Sequence, residues 1–461
     1  MIAQHLRGPV GFSPDGRRLA FVGVDPTRSE TSLVIADADG TGQRKLVTVQ
    51  GAEWLLCLDG AGMVPRRDKL AEGYQHAEGA QAPRSVVEVS VKEGRMTAIG
   101  PPSWQGGWPN HLAWLPDSRS LAAEGVYPPL GGMRGQLWTF SYPRGELRRL
   151  TNDLSEYYEL SATSQGTALT TVRVDSRSDL WLAPRKNLGN ATRLTASPQA
   201  FNGAYGVSWG SSGQILYAAA DTRSSAIHVY RLEQRDGHTQ QLTSGNLDLE
   251  PSSCPGGNAD FASLSPDRLG LWTLDAAGKG LRQLTRGDFE EYPSCSPDGK
   301  WVLYNRKVPL RIPWEGGKEV PLVESSAGVS GYACAWSPDG KWIACRYVAA
   351  ADKPTELAVI PSAGGAPSKV FNMPASPPSY WMVNREYFPP PVRWAPDGGA
   401  LTYVVTKEGV SNIWGQPLKG GPPQQLTHFK EEQIFYFDWS PQGDWSCRAA
   451  ASQAMRCSSG T

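Results

Sequence analysis

Short apolar runs, each ended by a polar turn carrying glycine or proline, recur along almost the whole chain. Trp301-Val302-Leu303-Tyr304 and Trp342-Ile343-Ala344 each follow a Ser-Pro-Asp-Gly-Lys phrase, at Ser296 to Lys300 and at Ser337 to Lys341. Proline fixes its own φ, aspartate caps the turn with its side chain and glycine accepts positive φ, so the phrase predicts a tight reversal between two strands. A second hairpin follows. It reads Leu33-Val34-Ile35-Ala36, a turn at Asp39-Gly40, then Arg44-Lys45-Leu46-Val47, and recurs as Leu271-Trp272-Thr273-Leu274, Ala277-Gly278, Arg282-Gln283-Leu284-Thr285. Other units close on Leu150-Thr151, Leu194-Thr195, Leu242-Thr243 and Leu426-Thr427. Each unit is therefore expected to be four short antiparallel strands. No stretch shows a capped helical period, and 50 Gly with 37 Pro would interrupt one.

The turn phrase returns, loosened, at Ser13-Pro14-Asp15-Gly16, Pro116-Asp117-Ser118, Ala395-Pro396-Asp397-Gly398 and Ser440-Pro441-Gln442-Gly443, with further marks at Gly166, Gly213 and Gly257. A spacing of about 40 to 50 residues is the signature of equal units in series. Four-stranded units that cannot bury both faces alone pack as blades around an axis. The expected fold class is all-β, a β-propeller of four-stranded antiparallel blades, with a stacked β-solenoid as the rival. About nine to ten units exceed the roughly four to eight blades of one ring, which leaves one unusually large ring or two rings. Residues 1–445 are read as this repeat region and 446–461 as an irregular tail.

Two places break the pattern. Between Gly16 and Ser118 one turn mark is missing, and Gly62-Met63-Val64-Pro65-Arg66-Arg67-Asp68 has no strand pattern, although the second hairpin survives at Val86-Val87-Glu88-Val89. Shifted by one base, Met63 to Arg67 permit Trp-Ser-Pro-Asp-Gly, whose glycine would fall at Arg67, midway between the flanking marks. After Trp445 an apolar strand is due, but Ser446-Cys447-Arg448-Ala449 follows; shifting Gln453 to Ser459 one base earlier permits Ser-Asp-Ala-Val-Leu-Ile. Residues 52–83 and 446–461 are accordingly read as translated out of frame, the alternative being a divergent loop and an unstructured tail. The missing apolar last strand, with no N-terminal sealing strand, puts ring closure in question.

Charge and composition narrow the function. Forty-five basic and 45 acidic residues cancel, and no basic run of the kind that neutralises phosphates is present, which argues against nucleic acid as a partner. No apolar stretch approaches the roughly 18 residues of a membrane helix. The start, Met1-Ile2-Ala3-Gln4-His5-Leu6-Arg7-Gly8, has no apolar signal core and lies inside the first unit, as in a fragment of a longer protein. Of seven cysteines, Cys57, Cys447 and Cys457 fall in the irregular segments. Cys254 and Cys295 occupy nearly equivalent points of adjacent units, and Cys334 and Cys345 lie in or beside strands. With no C-x-x-C spacing, these are expected to be small buried strand residues rather than a disulfide or metal framework.

The unit resembles the WD40-like repeat of TolB-type β-propellers. More narrowly, Gly8 to Val22 and Gly409-Val410-Ser411-Asn412-Ile413-Trp414 resemble the propeller regions that follow serine/threonine kinase domains in some soil bacteria, notably acidobacteria. That resemblance implies an extracytoplasmic sensing or protein-binding module linked to a cytoplasmic kinase, of which this chain carries no Gly-rich loop, His-Arg-Asp or Asp-Phe-Gly. The non-catalytic propeller of a prolyl oligopeptidase-like enzyme and a periplasmic TolB-like scaffold are the alternatives.

No catalytic residue, metal site or cofactor is expected. Gly206-Val207-Ser208-Trp209-Gly210 matches the G-x-S-x-G nucleophile elbow, but the elbow needs a helix to follow, and Ser211-Ser212-Gly213-Gln214-Ile215-Leu216-Tyr217 reads as another blade. The histidines His5, His76, His111, His228, His238 and His428 are dispersed without ligand spacing. Asp248 with Glu250, and Glu290 with Glu291, precede Pro251 and Pro293 where innermost strands begin. They are expected to ring one mouth of the channel, either as a polar mouth for a basic peptide or cation or as solvated loops. The long insertion from Met373 to Pro391 offers Tyr380, Trp381, Arg385, Tyr387 and Phe388 among prolines, a composition suited to binding a protein or peptide ligand or to packing over the ring. Trp301, Trp342 and Trp414 are expected in blade cores.

Overall fold

In the computed structural model the Ser-Pro-Asp-Gly phrase is a hydrogen-bonded turn. Ser296 Oγ donates to Asp298 Oδ1 at 2.6 Å and accepts the Trp301 N–H at 3.0 Å, while Asp298 Oδ1 also accepts the Lys300 N–H at 3.1 Å. Gly299, at φ +70°, sends its N–H back to the Ser296 carbonyl at 2.9 Å. Ser337, Asp339 and Gly340 repeat this arrangement, and the serine's bond holds the Asp298 and Asp339 carboxyls below the usual range.

The Leu-Thr signal has an equally local cause. The threonine hydroxyl oxygen accepts a third-strand N–H: Thr151 from Leu137 at 3.0 Å, Thr195 from Leu180 at 2.9 Å, Thr243 from Val229 at 3.0 Å, Thr285 from Leu271 at 2.9 Å and Thr427 from Ile413 at 2.8 Å. The leucine N–H meets the same residue's carbonyl at 2.8 Å in all five units. Fourth strands are too short to pair fully, and this two-point lock completes them.

The structure describes the chain except residues 1–5, 14, 26–27, 29, 51–53, 57–61, 64–68, 76–83, 100–107, 118, 127–134, 154, 164–167, 176, 196–200, 211–212, 222–225, 266, 288–289, 307, 324–329, 350–353, 375–389, 444, 453 and 461. It is all-β, a β-propeller of four-stranded antiparallel blades. The chain divides into two compact units, Met1–Asp175 with Ala454–Thr461, and Ser176–Gln453.

The first unit holds four sheets among the described residues. They begin at Leu6–Phe12, Trp54–Leu56, Trp108–Trp114 and Glu156–Ala162. The irregular segment contributes backbone to the second of these: Lys69–Gln75 pairs antiparallel with Arg84–Ser90. In the last sheet Leu169–Asp175 pairs with Ala454–Gly460.

The second unit holds six four-stranded sheets. Blade I combines both ends of the unit, in the order Glu432–Trp439, Trp445–Ser452, Asp179–Pro184, Thr192–Arg193. Blades II to VI follow in chain order, their inner strands being Val207–Trp209, Asp248–Ser253, Glu291–Cys295, Ser330–Trp336 and Arg393–Trp394. Every joint carries a bond. Trp209 N–H reaches Asp438 Oδ2, Ser253 N–H reaches Ser208 Oγ, and Cys295 N–H reaches Ser252 Oγ. The indole N–H groups of Trp336, Trp394 and Trp439 reach Ser294 O, Ala335 O and Thr402 Oγ1. The ring is closed.

Closure and tail differ from expectation. Instead of an irregular tail after Trp445, strands run over Trp445–Ser452 and Ala454–Gly460, and the first seals blade I against Asp179–Pro184. Buried Ala449 and Ala450 serve where a longer apolar run was sought. Arg448 is tolerated because its Nη2 donates to Glu432 Oε2 at 2.8 Å and its guanidinium lies 4.3 Å from the Phe429 ring centre.

Two further expectations are corrected. Trp342 is 36% exposed, and Trp301 is half-buried under the Arg311 guanidinium at 4.8 Å, because each tryptophan opens a strand beside its turn; the core instead takes the next positions, Val302, Leu303, Tyr304, Ile343 and Ala344. Trp414 is half-buried against a core that contains Tyr403 and Leu357. Four of the seven cysteines are paired rather than isolated. Cys254 faces Cys295 across blades III and IV with Cα atoms 5.3 Å apart, and Cys334 faces Cys345 within blade V at 4.1 Å, both at bonding distance between sulfurs.

Candidate binding cavity in the six-bladed ring

A cavity of about 360 Å³ is lined by inner-strand residues of all six blades. Matched by register, Gly206, Glu250, Tyr292, Pro391 and Tyr436 form one layer, and Ser208, Ser252, Ser294, Ala335, Arg393 and Asp438 a second, two positions further along each strand. Both layers line the same cavity. An irregular register marks the first layer in several blades, with left-handed φ at Glu250 (53°), Tyr292 (54°) and Ala333 (50°). Such bulges re-aim a side chain at the cost of local pairing. Gly206, at φ +131°, sits where a Cβ would come within 2.6 Å of the Glu250 Cα.

Polar groups cross the cavity in two sets. Glu250 Oε2 accepts the Tyr292 N–H at 2.6 Å and Oε1 accepts the Tyr436 hydroxyl at 3.0 Å, so one carboxyl ties blades III, IV and I. Burial pushes Glu250 up to about 7 against the pull of these donors and of Arg393. Glu291 beside it is pushed up too, by burial first and then by the Glu250 charge. In the second set Arg393 Nε donates to Asp438 Oδ1 at 3.1 Å, and Asp438 Oδ2 holds the Trp209 N–H at 2.9 Å. Around these, Trp209, Trp336, Trp394 and Trp439 and the prolines of the Ser-Pro-Asp-Gly turns form rigid apolar walls. Fixed rotamers and a fixed backbone make such a cavity cheap to occupy.

The acidic residues singled out in the sequence separate. Glu250 lines the cavity and Glu291 neighbours it. Glu290 is fully buried in a cluster of its own, accepting the Leu271 N–H at 3.2 Å and the Thr285 hydroxyl, and pairing with Arg306, which also holds Glu319 at 2.9 Å. Asp248 is buried and accepts the Gly245 N–H at 3.0 Å. The expected ring of carboxylates at one mouth is thus reduced to the pair Glu250 and Glu291. Tyr380, Trp381, Arg385, Tyr387 and Phe388 lie outside the described residues. Ser208 sits in the strand Val207–Trp209, followed by the strand Gln214–Ala220 rather than a helix, and its Oγ is engaged by Ser253 N–H at 3.0 Å. Arg393, Asp438, Tyr292 and Tyr436 escaped the sequence reading. Their signal was the common register of inner strands, two and four positions after which the turn begins.

No protein-family model matches the chain. The uncharacterized protein Atu1656 of Agrobacterium fabrum is 31% identical over 157 residues, which is 34% of this chain and 48% of that protein. The uncharacterized protein YidR of Escherichia coli is 25% identical over 181 residues, 34% of this chain and 42% of that protein. The chain spans less than half the length of these curated relatives. Among solved structures, a TolB-type protein of Agrobacterium tumefaciens is similar at 18% identity and a TM-score of 0.46, covering 60% of this chain and 99% of that one. TolB of Acinetobacter baumannii is similar at 12% identity and a TM-score of 0.38, over 84% of this chain and 81% of that one. An oligogalacturonate lyase in complex with manganese is similar at 13% and 0.31, over 88% and 95%. The structural neighbours are TolB-like β-propellers. Among the described residues, no helix is long and apolar enough to cross a membrane.

Proposed function

We propose that the chain is a non-catalytic binding module, and that the cavity of the six-bladed ring receives a segment of a protein or peptide ligand. The observation that carries this reading is the cavity's construction: rigid tryptophan and proline walls, serine hydroxyls, one Arg393–Asp438 pair and a carboxyl, Glu250, poised near neutrality. Such walls take up side chains, and the carboxyl with its neighbour Glu291 favours a basic residue or an amino group. Ser208, the serine of the G-x-S-x-G string, accepts the Ser253 N–H.

A peptide library displayed on phage and selected on the intact chain tests this. Ser294 lines the cavity, so Ser294→Trp fills it; peptides enriched on the wild-type chain are expected to lose at least tenfold in affinity for S294W while near-ultraviolet circular dichroism stays native. Peptides that bind S294W equally well, or a selection that enriches none, reject the cavity as the site.

Attachment to a serine/threonine kinase, and an extracytoplasmic location, rest on the resemblance of residues 8–22 and 409–414. The two cysteine pairs at bonding distance favour an oxidising compartment. A TolB-like scaffold accounts for the fold equally well. A kinase reading frame in the same transcript, with export of a fused alkaline phosphatase, supports the first; a free-standing gene supports the second.

A further inference from the structure

Cys254, Asp260 and Cys295 converge where blades III and IV meet. Their ligand atoms all lie within 4.8 Å of one another. Asp260 is fully buried; its Oδ2 lies 3.3 Å from Cys254 Sγ and 3.1 Å from Cys295 Sγ, and its Oδ1 has no hydrogen-bond partner. Cys295 lines the cavity, which gives the cluster access to solvent and ions.

Buried next to two sulfurs, Asp260 is ionised only beside a positive charge. When the cysteines are bridged they have no thiol hydrogen to donate, and Asp260 Oδ2 faces sulfur lone pairs. When they are reduced, two sulfurs and a carboxylate whose ligand atoms lie within 4.8 Å of one another form a donor set that suits a soft to borderline divalent cation. The unpartnered Oδ1 is the second, independent sign that the site is built for something absent.

We propose that, with the Cys254–Cys295 pair reduced, Cys254, Asp260 and Cys295 bind one zinc-class divalent cation that staples blade III to blade IV beside the cavity. Binding takes two thiols and a carboxylate to two thiolates and a carboxylate on the metal, releasing two protons, and a water from the cavity completes a four-coordinate shell. The bridged pair and the metal site exclude each other, so the same two cysteines join the blades in either state.

Cobalt(II) titration of the full chain, reduced with a phosphine under argon and shown by thiol count to have free cysteines, tests this. One equivalent is expected to give thiolate-to-cobalt charge-transfer absorption. C254S/C295S should abolish the band and C334S/C345S should keep it. Asp260→Asn should weaken binding by more than the roughly 10–100-fold that loss of an outer-shell partner costs, and Asp260→Cys should restore it. Near-ultraviolet circular dichroism of each metal-free variant reports folding, and native mass spectrometry of the wild-type chain with zinc gives stoichiometry without any variant. A pair that resists reduction in the folded chain, a reduced chain without the band, or a band that persists in C254S/C295S overturns the proposal.

Discussion

Thr243→Val isolates one bond of the Leu-Thr lock. Valine keeps the β-branched shape and rotamer preference of threonine, so packing is preserved while the acceptor for the Val229 N–H, now at 3.0 Å, is removed. Val229 is 0% exposed and Thr243 5%, so water cannot replace the lost acceptor. An unsatisfied buried amide costs about 1–3 kcal/mol. For a unit of this size about 2–4 °C of melting temperature is lost per kcal/mol, so T243V should melt ~2–12 °C lower, and Thr243→Ser, which keeps the hydroxyl, should lose less. Thr285 also donates to Glu290, so Thr285→Val should cost more than T243V. Differential scanning calorimetry on the intact chain reads all three. A T243V transition at or above the wild-type temperature would refute the lock, because packing alone would then explain the recurrence of Leu-Thr.

Glu250 makes stability depend on pH in a stated direction. Its carboxyl keeps a proton to about pH 7 in the folded ring but releases it near 4.5 when unfolded, so the unfolded chain binds fewer protons and stability falls as pH rises through that window. Glu291, raised likewise, adds to the fall. Melting temperatures between pH 5 and 8 should show a shallower decline in Glu250→Gln, which keeps an acceptor for the Tyr292 N–H; parallel curves would disprove the assignment. Two glycines should respond differently to alanine. Gly340→Ala makes only ordinary contact with Pro297, at 3.8 Å, and should lose only the ~1–2 kcal/mol of a left-handed residue, whereas Gly206→Ala drives a Cβ against Glu250 and Pro251 and should lose several-fold more in urea denaturation.

What the sequence disclosed was what adjacent residues do to one another. Ser296, Asp298 and Gly299 make their turn within a handful of positions, and Leu242-Thr243 meets Val229 one hairpin away, so the unit, its four strands and its repetition were legible. The closure was not. Blade I joins Asp179–Pro184 to Trp445–Ser452, and the tolerance of Arg448 there depends on Glu432 and Phe429. An apolar run was therefore sought where a paired arginine and two alanines suffice. Glu290 and Glu291 looked alike as neighbours, yet Glu290 pairs with Arg306 and Glu291 lies beside Glu250. Cys254 and Cys295 were recognisably at equivalent points of adjacent units, which is the position from which sulfurs meet across a joint. Single-base slips in the coding DNA near residues 52, 83 and 446 remain the test of an out-of-frame origin for 52–83 and 446–461.

The cavity and the closure are one construction. Asp438 lies in the inner strand of blade I, and its two carboxylate oxygens hold the Trp209 N–H of blade II and the Arg393 guanidinium of blade VI. Tyr436, in the same strand, supplies one of the two donors to Glu250. Within blade I that inner strand pairs with Trp445–Ser452, which lies between it and Asp179–Pro184. Contacts of such sequence separation are costly to form, since the intervening chain must be ordered first. A chain in which Trp445–Ser452 fails to pair therefore loses Asp438 and Tyr436 from the cavity together, leaving Arg393 without its carboxylate and Glu250 without its hydroxyl. Ligand binding at the cavity should accordingly report ring closure, and a truncation before Trp445 should abolish it even where blades II to VI retain their strands.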